Sequence, residues 1–232
     1  MSSIPAVTRN LLIINVLFFL AQSLLGNAIP INRYLALHFF ESDYFMPHQV
    51  ITYMFLHGGI FHIFFNMFAL FMFGRTLEMV WGGKKFLLYY ILTGIGAALA
   101  QEIVYTFQFS EIIFNSAITQ INTGTDIITR QEFFNLLPAT LGASGAIFGI
   151  LVAFGMLFPN VELFIIPFPF PIKAKWFVIG YGVLELGWGI SNDPADNVAH
   201  FAHLGGLIMG LIILLYWKKK GKLTTNDGSF RR

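Results

Sequence analysis

Hydrophobic residues fall in six long blocks, at about 11 to 27, 57 to 79, 85 to 107, 144 to 158, 173 to 190 and 199 to 217, separated by segments rich in polar residues, Gly and Pro. Blocks of this kind approach the length of a helix that crosses a hydrocarbon core. A helix satisfies its own backbone hydrogen bonds, as a lipid-exposed segment must. The pattern therefore predicts an all-α membrane protein, a six-transmembrane-helix bundle with both termini on one side. The first block lacks a small-residue cleavage site and reads as a retained helix, not a signal peptide. Residues 1–10 and 218–232 read as polar flanks of one domain, 11–217, and the long loops 28–56 and 108–143 lie on the side away from the termini.

The fourth block is short. Its 15 residues from Ser144 to Phe158 rise roughly 22 Å as a helix, against a core of about 30 Å. With Pro159-Asn160 at one end, Ser144 begins the helix below the opposite surface. Irregular backbone at that depth is tolerated only where protein covers it or water reaches it, so a wet pocket is expected there. The chain shows no internal repeat, which weakens a transporter built from inverted halves.

Composition sharpens this picture. The chain is 56% hydrophobic and only 11% charged, far from the soluble average. A net charge of +2 so thinly spread gives no reason to expect nucleic acid as a partner; the lipid bilayer is the expected surroundings. The positions of the positive residues matter more. Arg9, Arg75, Lys84, Lys85, Lys173, Lys175, Lys218, Lys219, Lys220, Lys222, Arg231 and Arg232 fall on the side of the termini, with Arg33 and Arg130 opposite. The positive-inside rule then places both termini in the cytoplasm. Absence of cysteine excludes disulfides, thiolate catalysis and cysteine metal sites.

Candidate chemistry lies on three of the blocks. Gly142-Ala143-Ser144-Gly145 heads the fourth. Glycines beside Ser144 permit a tight turn and close backbone approach, and a helix starting there aims N–H groups at an oxyanion. The same small residues also suit plain helix packing. The sixth block carries His200 and His203, followed by Gly206 and Gly210 at small-xxx-small spacing. Either this is a packing stripe beside a satisfied histidine, or the glycines bring His203 to Ser144 as a base. In the second block His62 and Asn66, four apart, share a helical face: a buried hydrogen-bonded pair, or two donors to an oxyanion. His57 is read as bracing the loop, His200 as support near the mouth, and His38 and His48 as surface residues. Glu185 in the fifth block needs a proton, a partner or water; it reads as sitting near the outer end of its helix or gating substrate access.

These motifs, in this order, resemble the rhomboid intramembrane serine proteases. His57 and His62-x-x-x-Asn66 match the family's second helix, Gly142 to Gly145 its Gly-x-Ser-Gly, and Ala202-His203-x-x-Gly206 its sixth helix. The resemblance implies a six-helix rhomboid-like bundle and a Ser-His dyad without an aspartate: Ser144 as nucleophile, His203 as base and then acid, and the Ser144 N–H with His62 and Asn66 at the oxyanion. Phe148 would stack on the catalytic imidazole. The Trp-Arg pair of some members is absent, with Pro47-His48-Gln49 in its place, so Tyr44, Phe45 and Tyr53 are the expected interfacial anchors. The implied reaction is peptide-bond hydrolysis in or beside a transmembrane helix of a single-span or polytopic substrate, in a bacterial inner membrane.

No cofactor or metal is expected. No histidine has the His-Glu-x-x-His context of a zinc protease, and Asp193 and Asp196 share one loop, unlike an aspartyl pair. A dyad with no carboxylate would leave the tautomer of His203 to packing and water, with slow turnover. A helix-binding pseudoprotease and a small transporter remain the competing readings.

Overall fold

In a computed structural model, described for residues 4–164, 170–191 and 199–223, helices occupy all six hydrophobic blocks. They are α1 (Ala6–Leu25), α2 (Ile60–Trp81), α3 (Gly83–Gln108), α4 (Ser144–Leu157), α5 (Ala174–Ser191) and α6 (His200–Lys219). Four of these, α1, α2, α3 and α6, are long and apolar enough to cross a membrane, and α4 is a shorter apolar helix. Asp193, Asp196 and most of the polar tail lie outside the described residues.

The apolar surface is inverted relative to a soluble bundle. Ile13, Leu17 and Leu24 on α1, Phe61, Phe65 and Phe68 on α2, and Ile208, Ile212 and Leu215 on α6 all face outward. What is buried instead is α4, where every residue from Gly145 to Gly155 is enclosed. Helices α3 and α6 pack on it and on each other, and α5 lies along α4 and α6. α5 is the least enclosed of the six, with Ala174 and Glu185 its only buried residues. An apolar cleft between α4, α5 and α6 is lined by Val152, Gly155, Val178, Gly182 and Leu207.

Glycine makes the α4–α6 crossing close. A Cβ on Gly206 would collide with the Gly145 carbonyl, and one on Gly210 would sit 3.0 Å from the Gly149 Cα and 2.6 Å from the Tyr89 hydroxyl. That hydroxyl donates to the Gly149 carbonyl (2.8 Å), so α3 holds the same crossing from its own side. The small-xxx-small stripe is thus a packing device and also a placement device, because His203 stands one turn before it.

The polar ends are tied by specific acceptors. α2 carries a π turn at Leu70–Gly74, and beyond it the buried Glu78 carboxylate accepts from the Val7 N–H (2.9 Å), the Thr8 N–H (2.7 Å) and the Thr8 hydroxyl (2.7 Å). A carboxylate facing the first N–H groups of α1 complements its positive end. At the opposite end, buried Gln49 organises the first loop: its Nε2 donates to the Tyr44 carbonyl (2.8 Å), and its Oε1 accepts from the Met46 N–H (3.1 Å). The second loop forms a hairpin of β1 (Gln120–Asn122) and β2 (Ile127–Thr129), then the helix Arg130–Leu136 with a Thr129–Glu132 capping box. Leu37 and Thr140 join the two loops by a reciprocal bridge of 2.9 and 2.8 Å.

Two expectations for this loop end are corrected. Tyr53 is no interfacial anchor: it is 1% exposed, and its hydroxyl donates to the Gly94 carbonyl (2.7 Å). His38 is no ordinary surface residue, since it is half-buried edge-on to Tyr44, and burial pushes its imidazole below the usual histidine range. His48 is exposed as expected, and its Nε2 meets the Tyr34 carbonyl at 2.8 Å.

Candidate functional site

Ser144 opens α4 where the second loop turns inward. Gly142, with φ of 133°, makes that turn in backbone that other residues rarely adopt. Its N–H donates to the Tyr53 carbonyl (2.9 Å), so the first loop holds the turn from beneath. Ala143 is fully buried and offers no side-chain cap, and the first intrahelical bond runs from the Ile147 N–H to the Ala143 carbonyl (3.0 Å). The amides of the first turn therefore lead into the site.

His203 on α6 reaches this point from the other side of the crossing. Its Nε2 lies 2.7 Å from Ser144 Oγ, and its ring stacks nearly parallel on Phe148 at 4.6 Å and 13°. Phe148 in turn stacks on Tyr181 of α5 (5.3 Å). The predicted pairing of hydroxyl and imidazole, and the predicted aromatic on the imidazole, are both present in the geometry. Gly145 serves the approach: a Cβ there would strike Ala97 of α3.

His62 of α2 borders the same space. The Gly58 N–H donates to His62 Nδ1 (3.3 Å), which makes Nδ1 the acceptor and leaves the ring hydrogen on Nε2. A Cβ on Gly142 would lie 2.8 Å from that Nε2 and 3.4 Å from Ser144 Oγ, so Gly142 keeps open the gap between them. Asn66 is buried one turn on, and its amide donates to the His62 carbonyl (3.0 Å). His57 precedes α2 and contacts both α1 and His62. Its N–H donates to Gln22 Oε1 of α1 (3.0 Å), and its ring meets His62 edge-on at 5.0 Å.

The expectation of an imidazole with no carboxylate is overturned. Glu185 of α5 is 4% exposed, and its Oε2 lies 2.9 Å from His203 Nδ1 and 2.6 Å from His200 Nδ1. It is held by two imidazoles six residues before the end of α5. The clue was legible: a carboxylate in an apolar helix demands a donor, and the two histidines belong to the neighbouring helix. The sequence left the partner open because the segment joining α5 to α6 conceals the register between them. Glu185, His200 and His203 also place their ligand atoms within 4.8 Å of one another, a spacing open to a metal ion. The lengths are nevertheless those of hydrogen bonds, both to one carboxylate oxygen.

A hydroxyl, an imidazole within hydrogen-bond distance of it and donors beside the adjoining gap form an arrangement that could carry acyl transfer. The Rhomboid domain family model matches residues 45–220. The chain is 30% identical over 162 residues to "Rhomboid protease AarA" of Providencia stuartii, covering 69% of this chain and 52% of that protein. It is 28% identical over 179 residues to "Rhomboid protein 1, mitochondrial" of Saccharomyces cerevisiae, covering 74% of this chain and 42% of that protein. With "Rhomboid protease GluP" of Bacillus subtilis it shares 29% over 163 residues, 70% of this chain and 24% of that one. The chain thus spans about half or less of the length of these relatives. On the extent of the family match, the chain is an integral membrane protein belonging to the rhomboid family.

Proposed function

We propose that this protein is an intramembrane serine endopeptidase that hydrolyses a peptide bond within or beside a transmembrane helix of another membrane protein. The observation that carries the reading is the 2.7 Å contact of His203 Nε2 with Ser144 Oγ beside a glycine-held gap. His203 takes the hydroxyl proton as Oγ attacks the scissile carbonyl. The oxyanion accepts from the Ser144 N–H, from His62 Nε2–H and from the second amide hydrogen of Asn66. His203 then gives its proton to the leaving amine, and water repeats the sequence on the acyl-enzyme. No cofactor or metal takes part.

Six helices over 11–217 form the protease domain, with both termini cytoplasmic in a bacterial inner membrane. Single-span and polytopic proteins are the substrates. They must unwind locally to present the bond, which favours small or helix-breaking residues near it. Lateral access past α5 is supported by its exposed surface and by the apolar cleft beside it.

The test is cleavage of a single-span substrate in liposomes by the wild type, Ser144→Ala and His203→Ala, beside labelling by a fluorophosphonate. Cleavage and labelling by the wild type alone are expected. A folded wild type that does neither would overturn the assignment in favour of a helix-binding pseudoprotease.

A further inference from the structure

Proton transfer between Ser144 and His203 leaves a buried charge unused. Glu185 sits at the depth of the site, where a carboxylate is costly unless paired. Its Oε2 touches both His203 Nδ1 (2.9 Å) and His200 Nδ1 (2.6 Å). An ionised carboxylate only accepts, so each imidazole must present N–H at Nδ1. For His203 that choice leaves the lone pair on Nε2, the atom 2.7 Å from Ser144 Oγ. Stacking on Phe148 fixes the ring plane but cannot tell one ring nitrogen from the other.

We propose that Glu185 is the positioning carboxylate of a Ser144–His203–Glu185 triad, with His200 holding the carboxylate in register. The inference rests on the protease reading above. As Oγ bonds to the carbonyl carbon its proton passes to Nε2, and the imidazolium so formed stands against a carboxylate that stays ionised. When the C–N bond breaks, the same proton leaves on the amine nitrogen and the pair returns to its starting state.

Because Glu185 also ties α5 to α6, the test must separate orientation from bracing. Fluorophosphonate labelling rate, kcat, KM and melting temperature are measured for the wild type, Glu185→Gln and Glu185→Asp, and the tautomer of His203 is read by nitrogen NMR. In the folded Gln variant, labelling and kcat should fall by about 10²- to 10⁴-fold with KM within about twofold, as for the loss of an orienting carboxylate elsewhere. The Asp variant should recover at least about tenfold of that loss. Wild-type His203 should carry its proton on Nδ1. A Gln variant within about threefold of wild-type kcat, a loss confined to KM or melting temperature, or an Asp variant no better than Gln would overturn the triad. So would a wild-type His203 protonated on Nε2, a readout that stands even where a variant does not fold. Failure of the protease reading looks different: the wild type neither labels nor cleaves, while the NMR signal still reports whether Glu185 sets the tautomer.

Discussion

Among single residues, His62 carries an assignment that the sequence left ambiguous. The bond from the Gly58 N–H fixes Nδ1 as acceptor, so the ring's one hydrogen is on Nε2, the atom facing the Gly142 gap. On the proposed mechanism, a neutral imidazole locked in this way is a donor already pointed at the place where negative charge develops, and it requires no reorganisation during attack. His62→Ala should lower kcat by about 10²- to 10³-fold with little change in KM, the cost of one oxyanion donor. His62→Gln, whose amide can reach part of the same space, should lose less. Steady-state cleavage checks both, and a kcat for His62→Ala within about threefold of wild type would remove His62 from the oxyanion hole. The same reasoning gives Asn66 a smaller and mixed effect, because its amide also serves the His62 carbonyl.

Pairs of helices set the distance between serine and histidine, and glycine sets the pairs. Gly206 meets the Gly145 carbonyl with no room for a methyl group, whereas Gly187 on α5 has nothing within 4 Å of a built Cβ. Gly206→Ala must therefore push α6 off α4, at about 1–3 kcal/mol of overpacking, and displace His203, which stands one turn before it. Melting should drop and fluorophosphonate labelling should fall at least about tenfold, since a displacement near 1 Å is enough to cost that much in a positioned reaction. Gly187→Ala should leave labelling intact and melt no lower, as alanine favours a helix over glycine by about 1 kcal/mol. Equal behaviour of the two variants would refute the crossing as the device that builds the site. This scale also shows what was legible in the chain. Apolar run length located the helices to within a few residues, for example 57 to 79 expected against Ile60–Trp81 observed, and the Gly206 spacing announced a close crossing. Partnerships across the bundle were not legible. Glu78 reaches Thr8 from 70 positions away, and Leu37 bridges Thr140 from another loop. Hydropathy reports how much of a helix is apolar, but on α4, apolar all round, it gives no direction in which a neighbour must lie. For the same reason Ser144 and His203 could be named from their motifs, while Glu185 could be named only as a carboxylate in want of a donor.

For the molecule as a whole, the site lies at the end of the bundle that carries both long loops. Ser144 follows Thr140, which is bridged to Leu37 of the first loop, and the Gly142 turn hangs from Tyr53. The 14 residues of α4 rise only about 21 Å, so a helix that ends near Pro159 close to one face leaves Ser144 short of the other in a core of about 30 Å. Positive charge crowds the Pro159 side, where Lys84, Lys85, Lys173 and Lys175 gather with Lys218 to Lys220. On the proposed orientation, with Lys and Arg retained in the cytoplasm, the loops and Ser144 face the opposite side. The cysteine-free sequence makes this directly measurable. Ser116→Cys, exposed in the second loop, and Lys219→Cys, exposed at the end of α6, each introduce one thiol. In intact bacterial cells stripped of their outer membrane, a membrane-impermeant maleimide should label Ser116→Cys at once and Lys219→Cys only after permeabilisation. The reverse order would place the serine on the cytoplasmic side. Labelling of both thiols in intact cells would mean that α6 does not end on the side its lysines favour, and the even count of spans would be wrong.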